Sequence, residues 1–193
     1  MFENSTICVI IPARGGSKRL KNKNIYPVLG KPMIAWSVKA AHNSKYIDKI
    51  FISTESDKIK DVARSLNVSI HNRDSQLSKD HIFKMEAVRS AISFIEKNDK
   101  KYDVYISLQA NSPQINKEII DSAIEKFFYY DRNELLSVDN NLMQNAAFRI
   151  MKADYAMYKD LSTKCGVYVC DLIDVHTIED VNNLEAMMTY EKI

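Results

Sequence analysis

Two adjacent glycines flanked by basic residues follow an apolar segment near the start of the chain. The segment reads IPARGGSKRLKNKN over residues 11–24. Gly15 and Gly16 let the backbone approach a ligand closely and point successive N–H groups at it. Ser17 can add a hydroxyl group, and Arg14 and Lys23 can neutralise phosphate charge, arginine as a planar fork and lysine as a point charge. These residue types in this order predict a binding site for a phosphorylated ligand.

This glycine pair belongs to neither of two common phosphate-binding motifs. The spacing G-x-x-x-x-G-K-[ST] of a P-loop is absent, and so is the G-x-G-x-x-G of a dinucleotide-binding turn. A plain basic turn is therefore the alternative interpretation. The position of the loop directly after an apolar strand favours a ligand site, because α/β folds bind ligands beyond the carboxyl ends of their strands.

The distribution of charge also favours an anionic ligand. No acidic residue lies between Glu3 and Asp48, although the formal net charge of the whole chain is only +2. Eight basic residues fall in that stretch: Arg14, Lys18, Arg19, Lys21, Lys23, Lys31, Lys39 and Lys45. A charge run alone is typical of a solvated face, but this one includes the glycine pair. Because no aromatic residue interleaves with the basic residues from Arg14 to Lys23, we expect a small phosphorylated ligand and no nucleic acid.

The composition is that of an ordinary globular protein, with 46% hydrophobic and 27% charged residues among 193. Cys8, Cys165 and Cys170 show no repeated metal-ligand spacing, which indicates reduced thiols in a cytoplasmic protein. The first residues lack the pattern of a signal peptide, and no apolar run approaches the roughly 20 residues of a membrane span. We therefore expect one cytoplasmic domain over residues 1–193 that does not bind membranes.

Strand-like and helix-like segments alternate along the chain. Apolar, β-branched runs predict strands over residues 6–11, 49–53, 68–70, 104–108, 135–138 and 166–170. Helical periodicity predicts helices over 33–41, 57–66, 82–97 and 118–130, and Thr177 is a predicted N-cap for a last helix ending near 190. Residues 139–164 show no clear pattern. The alternation predicts an α/β fold of three layers, αβα, with a mostly parallel sheet.

Six segments resemble motifs of the acylneuraminate cytidylyltransferases, the family that activates sialic, legionaminic, pseudaminic and Kdo-like acids. They read IPARGGSKRLKNKN, GKPMIAWSVKAA, FISTESDKIKDVA, NRDSQLSKD, SLQANSPQI and DVHTIEDVNNLE. Together they cover most of residues 6–138 and 166–188. The resemblance implies a Rossmann-like (GT-A-like) nucleotidyltransferase fold. It also implies a Mg²⁺-dependent transfer of CMP from CTP to a 2-keto-3-deoxy sugar acid, with release of pyrophosphate, for surface glycan synthesis.

The resemblance assigns roles to individual residues. It implies that the nucleotide is held by Ala13, Arg14, Gly15, Gly16, Ser17, Lys23, Asn24 and Arg73. Arg14, Lys23 and Gln109 are the implied catalytic residues, and Gln109 is expected to contact the sugar acid. A transfer of this kind needs alignment and charge neutralisation more than covalent chemistry from the protein, which fits these residue types.

The last motif departs from the family at a metal-binding position. The resemblance implies two aspartates that hold Mg²⁺, and their positions are occupied here by Asp174 and His176. A carboxylate suits Mg²⁺, whereas an imidazole does not. We predict Asp174 and His176 as the metal site, with Mn²⁺ as an alternative metal and another carboxylate as an alternative ligand. For His176, an acid–base role and no role at all are the alternatives.

The acceptor side departs from the family as well. Residues 112–115 read SPQI and lack the family's arginine, and residues 81–84 read HIFK where the family has a serine-rich helix start. Only about 26 residues separate Val138 from Cys165, where the family usually inserts a dimerisation arm. We expect a shortened substrate and dimerisation segment at about 139–165. Both a homodimer and a monomer are compatible with a segment of this length. Two alternatives remain: a different, smaller acceptor, and a nucleotide-binding paralogue without turnover.

Overall fold

The computed structural model describes residues 2–190, so Met1 and residues 191–193 of the predicted domain lie outside the described residues. The strands are β1 Ile7–Pro12, β2 Pro27–Val28, β3 Lys31–Pro32, β4 Lys49–Thr54, β5 Ser69–Asn72, β6 Val104–Leu108, β7 Glu134–Val138, β8 Gln144–Lys152 and β9 Cys165–Val169. The α-helices are α1 Met33–Asn43, α2 Asp57–Ser65, α3 Lys84–Asn98, α4 Lys117–Tyr129, α5 Ala153–Ala156 and α6 Ile178–Tyr190. Short 3-10 helices cover Lys23–Ile25 and Ser75–Ser78.

Seven strands form one mixed sheet in the order β5-β4-β1-β6-β8-β7-β9. β1 pairs in parallel with β4 and β6, β4 pairs in parallel with β5, and β7 with β9. β8 runs antiparallel to both of its neighbours, β6 and β7. The predicted mostly parallel sheet is confirmed. The regular alternation of strands and helices breaks at the β7–β8 hairpin, which lies largely in the segment without a clear pattern.

Helices cover both faces of the sheet, and β1 shows why. Its side chains point alternately to opposite faces, as in any strand. Ile7, Val9 and Ile11 are fully buried in the apolar core that includes residues of α1, α2 and α4. Cys8 and Ile10, also fully buried, belong to a second core formed with α3 and α5. This confirms the predicted three-layer αβα arrangement.

A third, smaller core fastens the last helix to the basic loop after β1. Its buried members come from that loop, from the β2–β3 ladder, and from α1 and the entry and first turns of α6: Leu20, Val28, Met33, Val175, Val181 and Leu184. Burial of apolar side chains stabilises this contact. Because it joins residues 20–33 to residues 175–184, residues 174–177 are held beside the loop that carries the basic residues.

Two further predictions concern the thiols and the membrane. Cys8, Cys165 and Cys170 are free thiols, and burial raises the pKa of each of them. A raised pKa keeps a thiol protonated and unreactive. Within residues 2–190, no helix combines the length and the apolar character that crossing a bilayer requires.

Candidate active site

The loop after β1 is held to the sheet at both of its ends. Ala13 is fully buried, and its amide donates a hydrogen bond to the carbonyl oxygen of Ser53 at the end of β4 (3.0 Å). At the other end, Asn24 is buried in the short 3-10 helix, and its Nδ2 donates to the carbonyl oxygen of Arg14 (2.9 Å). The loop is thus pre-formed, and Arg14 starts it while Lys23 ends it.

The two glycines of the loop have different surroundings. A Cβ atom at Gly15 would lie 2.8 Å from the Cβ of Ser56, a distance that side chains do not tolerate. A Cβ atom at Gly16 would meet no atom within 4 Å. Close packing against α2 therefore requires glycine at position 15. At position 16 the backbone is open, as the predicted approach of a phosphorylated ligand needs.

Glu55, directly after β4, connects the loop after β1 to the residues that follow β5. Its Oε1 accepts a hydrogen bond from the Gly15 amide (2.8 Å), and its Oε2 accepts from Ser78 Oγ (2.6 Å) and Arg73 Nη2 (2.8 Å). Burial alone would raise the pKa of the Glu55 carboxyl, but these hydrogen bonds lower it to about 2. Sequence reasoning missed Glu55, although its place at the carboxyl end of a parallel strand was an available signal.

Two adjoining cavities open beside the loop. One is lined by residues that include Arg14, Lys23, Asn24, Arg73, Lys84 and Asn111. The second is lined by Arg14, Ser17, Lys18, Arg19, Lys23, Asn24, Asp80 and His176. Arg14 and Lys23 line both cavities, so the predicted phosphate-binding cations lie where the two meet. Asp80 pairs with Arg14 and with Lys18 at the surface. Exposed ion pairs of this kind are weak, so a bound anion can replace the carboxylate.

Asp174 and His176 face this loop from the entry to α6. His176 Nε2 lies 3.0 Å from Asp174 Oδ2, while its Nδ1 lies 3.0 Å from Arg19 Nη2 and 3.3 Å from Lys23 Nζ. Guanidinium and ammonium groups only donate hydrogen bonds, so Nδ1 must be the acceptor. The imidazole is then neutral, and its Nε2–H donates to Asp174. Burial lowers the pKa of Lys23, and the negative charge of nearby Asp174 acts in the opposite direction.

Two local structures hold this pair in place. The Asn111 side chain donates to Asp174 Oδ1 and to the carbonyl oxygen of Val175. The amides of His176 and Thr177 each donate to Asp180 Oδ2 (2.8 Å), and the Asp180 amide donates to Thr177 Oγ1 (3.2 Å). This reciprocal cap confirms Thr177 as the predicted N-cap of α6.

Gln109, the residue predicted to contact the acceptor, directly follows β6. Its amide donates to the carbonyl oxygen of Ala147 (2.8 Å), and its carbonyl accepts from Ser37 Oγ (2.6 Å). Its side-chain Oε1 lies 3.4 Å from Lys84 Nζ, at the start of α3. Sequence reasoning singled out Gln109 but not Lys84. Arg149 on β8 is paired with the buried Glu134.

A family model for cytidylyltransferases matches residues 8–168. The chain belongs to the cytidylyltransferase family. The pseudaminic acid cytidylyltransferase of Campylobacter jejuni serotype O:23/36 is 42% identical over 119 residues, which are 61% of this chain and 51% of that protein. The N-acylneuraminate cytidylyltransferase of Oncorhynchus mykiss is 32% identical over 123 residues, or 64% of this chain and 28% of that protein. The resemblance drawn from the six motifs is thereby confirmed.

Matched regions cover about half or less of these relatives. Solved structures agree with the fold over a longer stretch. A CMP:2-keto-3-deoxy-manno-octonic acid synthetase complexed with CTP has a TM-score of 0.79 and 14% identity, and covers 97% of this chain and 100% of that chain. A cytidylyltransferase from Leptospira borgpetersenii has a TM-score of 0.73 and 17% identity, with coverage of 97% and 88%. At these identities the likeness confirms the predicted Rossmann-like nucleotidyltransferase fold.

Proposed function

We propose that this cytidylyltransferase-family chain transfers CMP from CTP to a 2-keto-3-deoxy sugar acid and releases pyrophosphate. The observation that carries the proposal is the meeting of two elements. The basic loop after β1 and the Asp174–His176 pair before α6 face each other, with Lys23 Nζ 3.3 Å from His176 Nδ1. A cluster of cations beside a carboxylate is what a bound triphosphate and its metal require.

In this proposal the loop residues hold the nucleotide. Arg14, Ser17 and Lys23 contact the phosphates, while the open backbone at Gly16 allows their close approach. Arg73 adds positive charge at the nucleotide cavity, where Glu55 holds it in place at 2.8 Å. Pre-organised donors of this kind stabilise charge as it develops and need no rearrangement during the reaction.

The residues present fit a Mg²⁺ ion that is carried mainly by the substrate. Mg²⁺ in phosphate-transferring sites is usually held by one or two carboxylates, substrate phosphates and water. Asp174 is the carboxylate that would hold it, since both of its oxygens have lone pairs left beside the bonds from Asn111 and His176. Among residues 2–190, no cluster of three or more acidic, histidine or cysteine side chains could form a full cage. When bound, the ion would neutralise charge on the phosphates. His176 as a second ligand, and Mn²⁺ as the metal, stay predictions.

The transfer step is a displacement at phosphorus. A hydroxyl oxygen of the acceptor forms a bond to the α-phosphorus, the bond from that phosphorus to the bridging oxygen breaks, and the hydroxyl proton is lost to water. Pyrophosphate leaves with the bonding electrons, and Arg14 and Lys23 offset its added negative charge. Gln109, on the other side of the site, positions the acceptor.

The extent of the functional unit is part of the proposal. We infer one cytidylyltransferase domain over residues 1–193, in which β8 and α5 occupy the shortened segment at about 139–165. A homodimer, a cytoplasmic location and the lack of nucleic-acid and membrane partners stay predictions. So does the alternative of a nucleotide-binding paralogue without turnover, which the imidazole of His176 in place of a carboxylate favours.

Position-specific labelling of CTP tests the proposed reaction. CTP labelled at the α-phosphate is incubated with Mg²⁺ and N-acetylneuraminate or pseudaminate, and CTP labelled at the γ-phosphate is run in parallel. We expect the α-label in a sugar conjugate and the γ-label in pyrophosphate. Label that stays in CTP while CTP still binds would support the paralogue without turnover and contradict the proposal.

A further inference from the structure

Lys84 lines the same cavity as Arg14 and Arg73, and it has no carboxylate partner in the described part of the chain. Its side chain is half-buried at the first residue of α3, and its Nζ donates to the carbonyl oxygen of Ala146 (3.2 Å) and to Gln109 Oε1 (3.4 Å). Both acceptors are neutral. Throughout residues 2–190, no aspartate or glutamate forms an ion pair with this ammonium group.

The three neighbouring arginines each have a carboxylate partner, whereas Lys84, like Lys23, has none among the described residues. Arg14 pairs with Asp80, Arg73 with Glu55, and Arg149 with Glu134. A desolvated ammonium without a counter-ion is costly, and the positive end of the α3 dipole adds to that cost. Burial accordingly lowers the pKa of Lys84 to about 8, with Asp174 opposing the shift and Arg149 adding to it. An anionic group from a ligand would remove the cost.

The position of Lys84 indicates which anion it receives. Of its two hydrogen-bond acceptors, Gln109 directly follows β6 and Ala146 belongs to β8. Both strands lie on the side of β1 away from β4 and β5. The cations predicted to hold the triphosphate come instead from the loop after β1. Gln109, fixed by hydrogen bonds to Ser37 and Ala147, presents its side chain to Lys84. An acidic sugar that reaches Gln109 brings its own carboxylate to this side.

We propose that Lys84 is a specificity-determining residue that binds the carboxylate of the acidic acceptor, with Gln109 and the carbonyl of Ala146 holding the ammonium in position. The inference rests on the proposed function, because it assumes that a sugar acid is the acceptor. It goes beyond that function by naming the side chain that distinguishes an acid from a neutral sugar.

The variant Lys84→Met tests the proposal, because methionine keeps the length of the side chain and removes its charge. The probes are N-acetylneuraminate, pseudaminate and 3-deoxy-manno-octulosonate, and the C1 amide of whichever acid is turned over. We expect the KM for the acid to rise about tenfold or more, as the loss of one charge-assisted hydrogen bond predicts. The Kd for CTP, measured by calorimetry without an acceptor, should stay unchanged. The preference of the wild type for the acid over its amide should disappear in the variant.

A matched control is Lys97→Met, an exposed lysine in the last turn of the same helix, which should leave both constants unchanged. The melting temperature separates recognition from a structural role: Lys84→Met should melt at the same temperature as wild type or higher, since an unpaired ammonium is removed. A large fall in melting temperature with unchanged KM would overturn the proposal. So would an equal loss of CTP affinity, which would assign Lys84 to the nucleotide.

The experiments distinguish a failure of the proposed reaction from a failure of the proposed role of Lys84. If the wild type turns over an acid and Lys84→Met shows the same KM, only the role of Lys84 is wrong. If the wild type turns over none of the acids, their binding to the CTP-loaded protein is followed by saturation-transfer NMR. Binding that is lost in Lys84→Met supports Lys84 as an acid-binding residue of a protein without this turnover. No binding to the wild type overturns both proposals.

Discussion

At the scale of single residues, Lys23 connects the two halves of the candidate site. It lines both cavities, and its Nζ lies 3.3 Å from His176 Nδ1. We predict that Lys23→Ala lowers kcat/KM for CTP by roughly 100-fold or more, because one lost donor to developing charge has an effect of that order. Steady-state kinetics with varied CTP measures it. Lys21→Ala, an exposed lysine of the same loop, is the matched control and should change kcat/KM little. An unchanged kcat/KM in Lys23→Ala would remove the proposed triphosphate contact.

Glu55 makes a second prediction at this scale, this time for stability. A lowering of its pKa from 4.5 to about 2 corresponds to roughly 3 kcal/mol of stabilisation of the folded state. Glu55→Gln should therefore lower the free energy of unfolding at pH 7 by about this order and weaken CTP binding, because Gly15 and Arg73 lose their common acceptor. Urea unfolding at a series of pH values measures the first effect.

The pH dependence of this difference has a definite sign. A carboxyl whose pKa is lowered by folding contributes stability above its unfolded pKa, near 4.5, and loses it as the pH falls towards 2. The difference in the free energy of unfolding between wild type and Glu55→Gln should thus shrink as the pH falls over that interval. Glu3→Gln, which changes an exposed carboxylate outside the loop, serves as control. A gap that stays constant down to pH 2 would show that the charge of Glu55 is not what stabilises the loop.

Residues that belong to one continuous loop could be predicted from sequence, and residues gathered by the fold could not. Arg14, the glycine pair and Lys23 are near in the chain, so their composition and order indicated a phosphate site directly. Glu55 and Lys84 approach that loop only because parallel strand pairing and helix packing bring distant segments together. For Glu55 the one available signal was its position at the end of a strand, and no local pattern distinguished Lys84 from other lysines.

At the scale of elements, the start of α6 positions Asp174 and His176, the predicted metal ligands. Asp180 accepts hydrogen bonds from the amides of His176 and Thr177, and Thr177 Oγ1 accepts one in return. We predict that Thr177→Ala costs about 1 kcal/mol of stability, as the loss of an N-cap does, and lowers kcat several-fold as the entry to α6 loosens. Thr177→Ser keeps the hydroxyl and should restore both. Thermal unfolding and kcat are measured on the same preparations. Lost stability with unchanged kcat would show that the cap does not position the site.

The β7–β8 hairpin is the element that sequence reasoning did not resolve. β8 begins Gln144-Asn145-Ala146-Ala147, residue types with weak strand preference. Its strand conformation is set by antiparallel pairing with β6 on one side and β7 on the other, contacts between residues far apart in the chain. By contrast, β1, β4 and β6 are continuous apolar runs, so their own sequence predicted them.

At the scale of the whole molecule, the topology explains why the candidate site receives residues from segments far apart in the chain. β1, β4, β5 and β6 are adjacent and parallel, so their carboxyl ends meet along one edge of the sheet. The third core then closes α6 over that edge from the far end of the chain. Alternation of strands and helices was enough to predict the mostly parallel sheet behind this arrangement.

The measurement that tests the central claim most directly is pyrophosphate release from each of the four nucleoside triphosphates, with Mg²⁺ or Mn²⁺, against a panel of 2-keto-3-deoxy sugar acids. We predict release that requires CTP, a divalent metal and one of the acids together. Release that is independent of the sugar acid, or no release with any acid while CTP binds, would contradict the assignment of this chain as a transferase of CMP to an acidic sugar.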